Sequence, residues 1–297
     1  TSVDQMVETF CEREENPIPP VEVSDGPVKE VVMTGDDADL SMLPITTHNA
    51  LDAGPFICSG LGICKDPETG KHNVGIYRHQ VHDNKTLGNW IYEAHHGYYV
   101  WQRYSALNEP MPFAIAIGHH PGAVMGAISR YPGIGGEFDG SGGLMNEPLE
   151  VVPASTVDLM VPARAEIVIE GLIPPSAMKH EGPFGEWLGY QGGVMEAEPW
   201  VDVSAIYHRN DPIILGCPPQ RPPDELGRYR AVTRSALLRD NISRAGVPDV
   251  TDVWAHLVLS VSPNEINVII DGVVTPRSSA RARASPHSVP FPAMYTE

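Results

Sequence analysis

The spacing of apolar positions changes several times along the chain, and each change predicts an element. Met6, Val7 and Phe10 recur at helical spacing behind the capping-box sequence Ser2-Val3-Asp4-Gln5, and Pro17, Pro19 and Pro20 close that short helix. Val31-Val32-Met33 reads as a short strand and Gly35 to Asp39 as a turn. Phe56 to Cys64 is apolar and flanked by Gly; a Pro/Gly turn over Lys65–Lys71 joins it to Asn73–His79, which predicts a hairpin. Tyr92–Leu107 has a helical pattern, Phe113–Ile117 reads as a buried strand, and Pro121 suits the start of a helix running to about Ile128. Ala165–Ile173 and Val201–Tyr207 alternate as strands do. Pro223–Ala245 is the clearest helix, with Pro and acids at its start, Arg234, Arg239 and Arg244 further on, and Gly246 at its end. Val250–Val261 then reads as a strand.

This order predicts an α+β, mainly β fold: an antiparallel barrel or sheet to about residue 210, then the opening of an α/β unit. The boundaries implied are a helix and linker over 1–28, a main domain over 29–215, the incomplete start of a C-terminal α/β domain over 216–274, and an irregular tail over 275–297. Ser278 to Ser285 has neither periodicity nor an apolar face, so the tail reads as disordered. No internal repeat is visible. The 28 Gly and 29 Pro are scattered, which fits a strand-rich chain with many turns and argues against collagen-like or low-complexity sequence.

Charge narrows the partners. Thirty-eight Asp and Glu against 20 Lys and Arg give a formal charge of −18, a field that repels nucleic acid and anionic lipid. Only five of those cations are Lys, and Arg is the better shape for binding carboxylate or phosphate, although the acidity itself reads most simply as a solubility device. The sequence holds no signal peptide and no apolar run long enough to span a bilayer. Cys11, Cys58, Cys64 and Cys217 form no C-x-x-C pair, so ordinary thiols in a reducing cytoplasm are expected.

The sharpest local feature is Glu181-Gly182-Pro183-Phe184-Gly185-Glu186. Gly-Pro and Gly make this segment a loop, and a loop can aim both acids into one cleft. Like charges held close push one proton affinity upward, which is how a general acid is made. Read alone, the hexapeptide more often describes two solvated loop acids. Asn73 to Arg78 places an arginine in an otherwise apolar stretch, where an unpaired buried cation is costly; Glu181 or Glu186 is a candidate partner, and an edge-strand arginine facing water is the other reading. Strict alternation puts Asn73 and Arg78 on opposite faces, so sharing one site needs a twist, a bulge or a strand end.

The doublets His95-His96 and His119-His120 lack zinc spacing, and a lone His with scattered carboxylates suits Mn or Mg better. For His119-His120 a solvent-facing element end is the expected setting, though His120-Pro121-Gly122 precedes a helix whose free N–H groups can hold phosphate. Glu137 lies in the Gly-rich acidic loop Gly135–Gly140. No Walker A loop, no G-x-G-x-x-G opening a helix and no nucleophile elbow is present.

Taken in order, these segments resemble the UbiD-like decarboxylases, which use prenylated flavin mononucleotide. The phrases that carry the likeness are Asp66–Gly70 with Asn73–Arg78, Glu109–Gly122, Asn146–Val152, Val161–Gly171, Glu181–Glu186 with Gly189-Tyr190, and Gly216–Glu225 around Arg221-Pro222-Pro223-Asp224-Glu225. They extend over roughly residues 17–265. The resemblance implies a split β-barrel flavin-binding domain similar to flavin reductases. Asn73, His96 and Glu137 would hold a divalent ion, Mn2+ or Mg2+, against the flavin phosphate, with K+ nearby. Arg78, Glu181 and Glu186 would form the catalytic network, and Asn73, Arg78, His96, Ser129 and Glu137 would line the cofactor. The implied reaction is non-oxidative, reversible decarboxylation of an aromatic or α,β-unsaturated carboxylic acid. In that reaction the cofactor would serve as the electron sink for loss of CO2, and Glu186 would supply the proton.

A flavin prenyltransferase is implied as the source of the cofactor. The family also carries an N-terminal α/β domain before the matching stretch and a C-terminal domain through which it dimerises, so a homo-oligomer is implied for the complete enzyme. Two rival readings are a reductase-like flavin-binding module and an inactive fragment. Arg78 with Glu181 and Glu186 distinguishes the first rival, because flavin binding alone needs no such acid pair.

Overall fold

The computed structural model describes residues 3–129, 133–186, 190–216, 225–246, 250–262 and 265–276. The chain divides into two compact units, Arg13–Pro222 and a smaller one of Thr1–Glu12 with Pro223–Glu297.

The larger unit is built on strands β1 (Val31–Thr34), β2 (Leu61–Lys65), β3 (His72–Ile76), β4 (Thr86–Gly88), β5 (Met111–Ile117), β6 (Ile167–Ile173), β7 (Met178–Glu181) and β8 (Met195–His208). They form one eight-stranded antiparallel sheet with the path β7-β8-β6-β5-β2-β3, and β1 and β4 also pair with β8. Val21–Glu22, Glu150–Pro153 and Met160–Pro162 make a second, three-stranded sheet. Helices α2 (His96–Leu107), α3 (Pro121–Ile128) and α4 (Glu137–Met145) complete the unit, and α1 (Val3–Glu14) begins the chain. The fold is therefore mixed α and β with several sheets.

β5 shows why the sheet is stable. Met111, Phe113, Ile115 and Ile117 enter one apolar core while Ala114 and Ala116 enter the other, so the strand is buried on both faces with large and small residues segregated. β8 does the same with a change of phase. Val201 and Val203 face the first core, whereas Ala205 and Tyr207 face the second. The register against β6 slips between Glu170 and Gly171, leaving Ser204 as the extra residue of a bulge that flips every later side chain.

The hairpin expected over Phe56–His79 forms, with Cys64 opposite Asn73, but both of its strands are broken. Phe56–Ile57 leaves the main sheet and pairs with His79–Gln80 instead. Tyr77 is the physical reason at the second break. Its ring folds back over bare backbone, so a Cβ on Gly62 would lie 2.5 Å from it and one on Gly75 2.6 Å from its hydroxyl. The helix expected from Tyr92 starts later, at His96, because the backbone at His95 is extended. In α1, Val7 and Phe10 are buried while Met6 is exposed.

In the smaller unit, α5 (Glu225–Arg244) and the hairpin of Val250–Ser262 with Glu265–Pro276 follow in order. The tail expected from residue 275 begins later, since Thr275 and Pro276 still pair in that hairpin. Ser2 of the capping box, Gly189, Cys217, residues 221–224 and residues 277–297 lie outside the described residues. Among the described residues, no helix is long and apolar enough to cross a membrane.

Candidate active site

The break after β3 delivers Arg78. Freed from the main sheet, Arg78 bridges to Trp90, and its guanidinium lies 4.4 Å from the Trp90 ring centroid and 5.0 Å from that of Phe184. Nε and Nη2 donate to the two carboxylate oxygens of Glu181, each at 2.8 Å, and Nη1 donates to Glu186 at 2.9 Å. The Glu181 side chain is fully buried, whereas that of Glu186 remains 40% exposed. Burial lowers the proton affinity of Arg78, but the hydrogen bonds and charges of the two glutamates more than offset it. A two-pronged guanidinium–carboxylate pair between aromatic faces fixes both geometry and charge. The sequence left either glutamate, or water, as the partner; the structure uses both glutamates.

The loop that carries Glu186 is fastened from outside. Asp52 Oδ1 accepts from the Gly185 amide at 2.9 Å and from Gln191 Nε2 at 3.3 Å, while its Oδ2 accepts from the Asn49 amide at 2.8 Å. Ala53 N–H donates to Pro183 O at 2.8 Å, and Gly192 N–H to Phe184 O at 2.8 Å. Gly192 must be small, since a Cβ there would stand 2.9 Å from the backbone oxygen of Phe184 and 3.0 Å from Glu186 Oε1.

A further acid, Glu198 on β8, belongs to this group although the sequence reading did not single it out. Burial and the charge of Glu181 push its proton affinity up to about 7, with Arg78 opposing. A strand carboxylate between Ala197 and Pro199 was the only local signal of it. Trp90 and Asp52 gave none, because their importance lies in long-range pairing.

The second cluster lies at β3 and the start of α4. Asn73 is buried opposite Cys64, and its side chain interacts with Cys64 and Tyr77. Glu137, the first residue of α4, is 4% exposed, and its Oε2 has no hydrogen-bond partner among the described residues. Burial pushes its carboxyl up to about 7, with the backbone at Glu137 and Val74 pulling the other way. The same burial, with the Glu137 charge adding to it, raises the Cys64 thiol and the Tyr77 hydroxyl. His96 enters at the N-terminus of α2 beside Gly97, where a Cβ would lie 2.6 Å from the Tyr77 hydroxyl. Tyr77 is thus the neighbour that links this cluster to the start of α2. Among the described residues no group of three or more His, Cys, Asp and Glu could hold a metal ion. Asn73, His96 and Glu137 supply two such residues and an amide. A buried carboxyl with an unpartnered oxygen is nevertheless what a bound cation would satisfy, so Glu137 fits that role.

Two sequence expectations change around α3. His119 does not face solvent: both ring nitrogens are buried, and burial lowers its proton affinity to about 4 against the opposing pull of backbone at His120, Ala116 and His119 itself. His120 is exposed, and its Nδ1 accepts from the Gly122 amide at 3.0 Å, taking one of the N–H groups expected to be free for phosphate. Ser129 closes α3, donating from Oγ to Met125 O at 3.0 Å.

Comparison with known proteins gives the family. A family model, 3-octaprenyl-4-hydroxybenzoate carboxy-lyase Rift-related domain, matches residues 20–222. An evolved dimeric form of the UbiD-class enzyme HmfF from Pelotomaculum thermopropionicum, in complex with prFMN, superposes with a TM-score of 0.78 at 37% identity, covering 84% of this chain and 58% of its own. Sedimentibacter hydroxybenzoicus vanillic acid decarboxylase in its closed form gives a TM-score of 0.77 at 31% identity, covering 86% and 55%. Klebsiella pneumoniae 3,4-dihydroxybenzoic acid decarboxylase (AroY) gives 0.76 at 28% identity, covering 84% and 54%. The chain therefore spans a little over half the length of these structures. With most of its residues inside the matched domain, the chain belongs to the UbiD family.

Proposed function

We propose that this protein acts in the non-oxidative, reversible decarboxylation of an aromatic or α,β-unsaturated carboxylic acid, with prenylated FMN and a divalent ion. The observation that carries the reading is Arg78 held between Glu181 and Glu186, with one carboxylate buried and the other half-exposed. Family membership and the prFMN-bound HmfF relative support the flavin.

When bound, the prenylated flavin supplies an electron sink for the pair released as CO2 leaves. The chain's own residues supply the rest. Arg78 and the buried Glu181 hold one fixed ion pair, and Glu186, on the same guanidinium but open to solvent, exchanges a proton with the substrate carbon. Phe184 and Trp90 keep that guanidinium between apolar faces. Asn73, His96 and Glu137 would hold Mn2+ or Mg2+, and the unpartnered Glu137 oxygen supports that assignment. Arg78 and Ser129 would face the flavin, and K+ would sit close by.

The reading extends to a split-barrel domain over 29–215, the start of a C-terminal α/β domain over 216–274, cytoplasmic location, cofactor supply by a flavin prenyltransferase and homo-oligomeric assembly of the complete enzyme. The dimeric HmfF relative supports the last of these.

The test is co-expression with a flavin prenyltransferase, followed by the absorption spectrum, the mass of the released cofactor and CO2 release from a panel of aromatic and unsaturated acids. Prenylated FMN with CO2 release is expected. Unmodified FMN with flavin-reductase turnover and no CO2 would replace this reading with that of a flavin-binding module.

A further inference from the structure

We propose that Glu198 is a positioning residue of the Arg78 cluster, a third carboxyl that stays neutral beside Glu181 and keeps the charge of the Arg78–Glu181 pair fixed while Glu186 exchanges its proton. The proposal rests on the role just given to Glu186.

The register carries the argument. Glu198 on β8 lies directly opposite Lys179 on β7, so the two share a face. Glu181 falls on that face two residues along β7, because the register irregularity between Lys179 and Glu181, which puts Glu181 opposite Met195, adds its extra residue on β8; Trp200 follows two residues along β8 on the other side of Glu198. Lys179 is the natural partner for Glu198, but its ammonium lies 4.4 Å from the Trp200 ring centroid and its charge reaches His82 and Asp83. Glu198 is left facing Glu181 and Arg78, with Glu93 adding a further negative charge. His180, between Lys179 and Glu181, is exposed and alternates to the other side of β7. Glu186 reaches the group through Arg78.

Charge then decides the protonation state. One guanidinium already serves two carboxylates, so the ionised trio carries −1. A third ionised carboxylate on that half-buried face would take it to −2, and a proton on Glu198 avoids this. Burial, first, and Glu181, second, raise its proton affinity to about 7, in keeping with that placement. Glu198→Gln is permanently neutral and nearly the same shape. It should remove the inflection near pH 7 that the parent shows.

The experiment has two arms. Infrared titration of the protein without added cofactor reads protonated carboxyls directly. The parent should show a C=O band that fades as pH rises through 7, that Glu198→Gln lacks and that Glu137→Gln retains. Turnover of the cofactor-loaded protein against pH is the second arm, with kcat and KM separated and the inflection expected in kcat. No band lost in Glu198→Gln would overturn the proposal, and so would a lost band with an unchanged pH profile. Because the first arm needs no decarboxylase activity, a band that behaves as expected in a protein that releases no CO2 would sink the functional reading instead and leave the charge state of Glu198 standing.

Discussion

Two buried carboxyls in the larger unit meet opposite surroundings. Glu181 is fully buried and receives two 2.8 Å hydrogen bonds from one guanidinium, while Glu137, 4% exposed, keeps an oxygen with no partner among the described residues. Burial acts on both, yet an opposite charge on the chain itself answers it only at Glu181. The difference teaches which part of the site the fold completes by itself. The Arg78 cluster carries its own counter-charge and is suited to holding and moving a proton. The Glu137 cluster is suited to a cation that comes from outside.

The largest effect should come from removing the counter-charge of the Arg78 cluster. Arg78→Leu leaves Glu181 buried with no counter-charge, and denaturant unfolding should show a loss of about 3–5 kcal/mol. Arg78→Lys should recover only part of it, since an ammonium cannot reproduce the two-pronged contact. An Arg78→Leu protein as stable as the parent would break the comparison on this side.

The Glu137 side is tested through pH. Its carboxyl is raised from the ordinary 4.5 to about 7, so the folded protein binds more protons than the unfolded chain across that window. The stability tied to Glu137 is fully present below pH 4.5 and is lost as pH rises through 7, a difference of roughly 3 kcal/mol. Thermal melts of the metal-free parent and of Glu137→Gln should diverge accordingly, the variant being the more stable at pH 8. Adding Mn2+ at pH 8 should raise the parent and leave the variant unmoved. Parallel melting curves across pH would remove the contrast between the two clusters.

A smaller effect is expected at the anchor of the acid loop. Asp52→Ala removes the acceptor for Gly185 and Gln191. Stability should fall by about 1 kcal/mol, the usual net worth of such a bond, with kcat falling more than KM rises because Glu186 is less well aimed. Equal kcat in parent and variant would show that the loop needs no outside anchor.

Much of this was legible in the chain. The buried run of β5, the alternation of β6, the start of α3 at Pro121 and the hairpin around Lys65–Lys71 follow from local period and turn chemistry, which act over a few residues. The acid loop was legible because Gly and Pro announce it. What escaped has a common physical origin in contacts between distant segments. The break after Ile76 depends on the Tyr77 ring finding bare backbone at Gly62 and Gly75, and alternation alone placed Asn73 and Arg78 on opposite faces of one unbroken strand. Glu198 joins the cluster only through its register with β7. His119 reads as an element end in sequence and is turned inward by the packing after β5. Phe56–Cys64 reads as one strand by its apolar content, yet Phe56–Ile57 pairs elsewhere.

The division of labour between the two clusters is tested most directly by Glu186→Gln in the cofactor-loaded protein. The substitution keeps the shape and the contact with Arg78 but has no acidic proton to deliver. Cofactor occupancy, read by absorption and mass, should match the parent, because the Glu137 side is untouched. Turnover should fall by the ~10²–10⁴ that one positioned acid contributes. Decarboxylation at the parent rate, with the parent rate of product-proton exchange in D2O, would contradict the account.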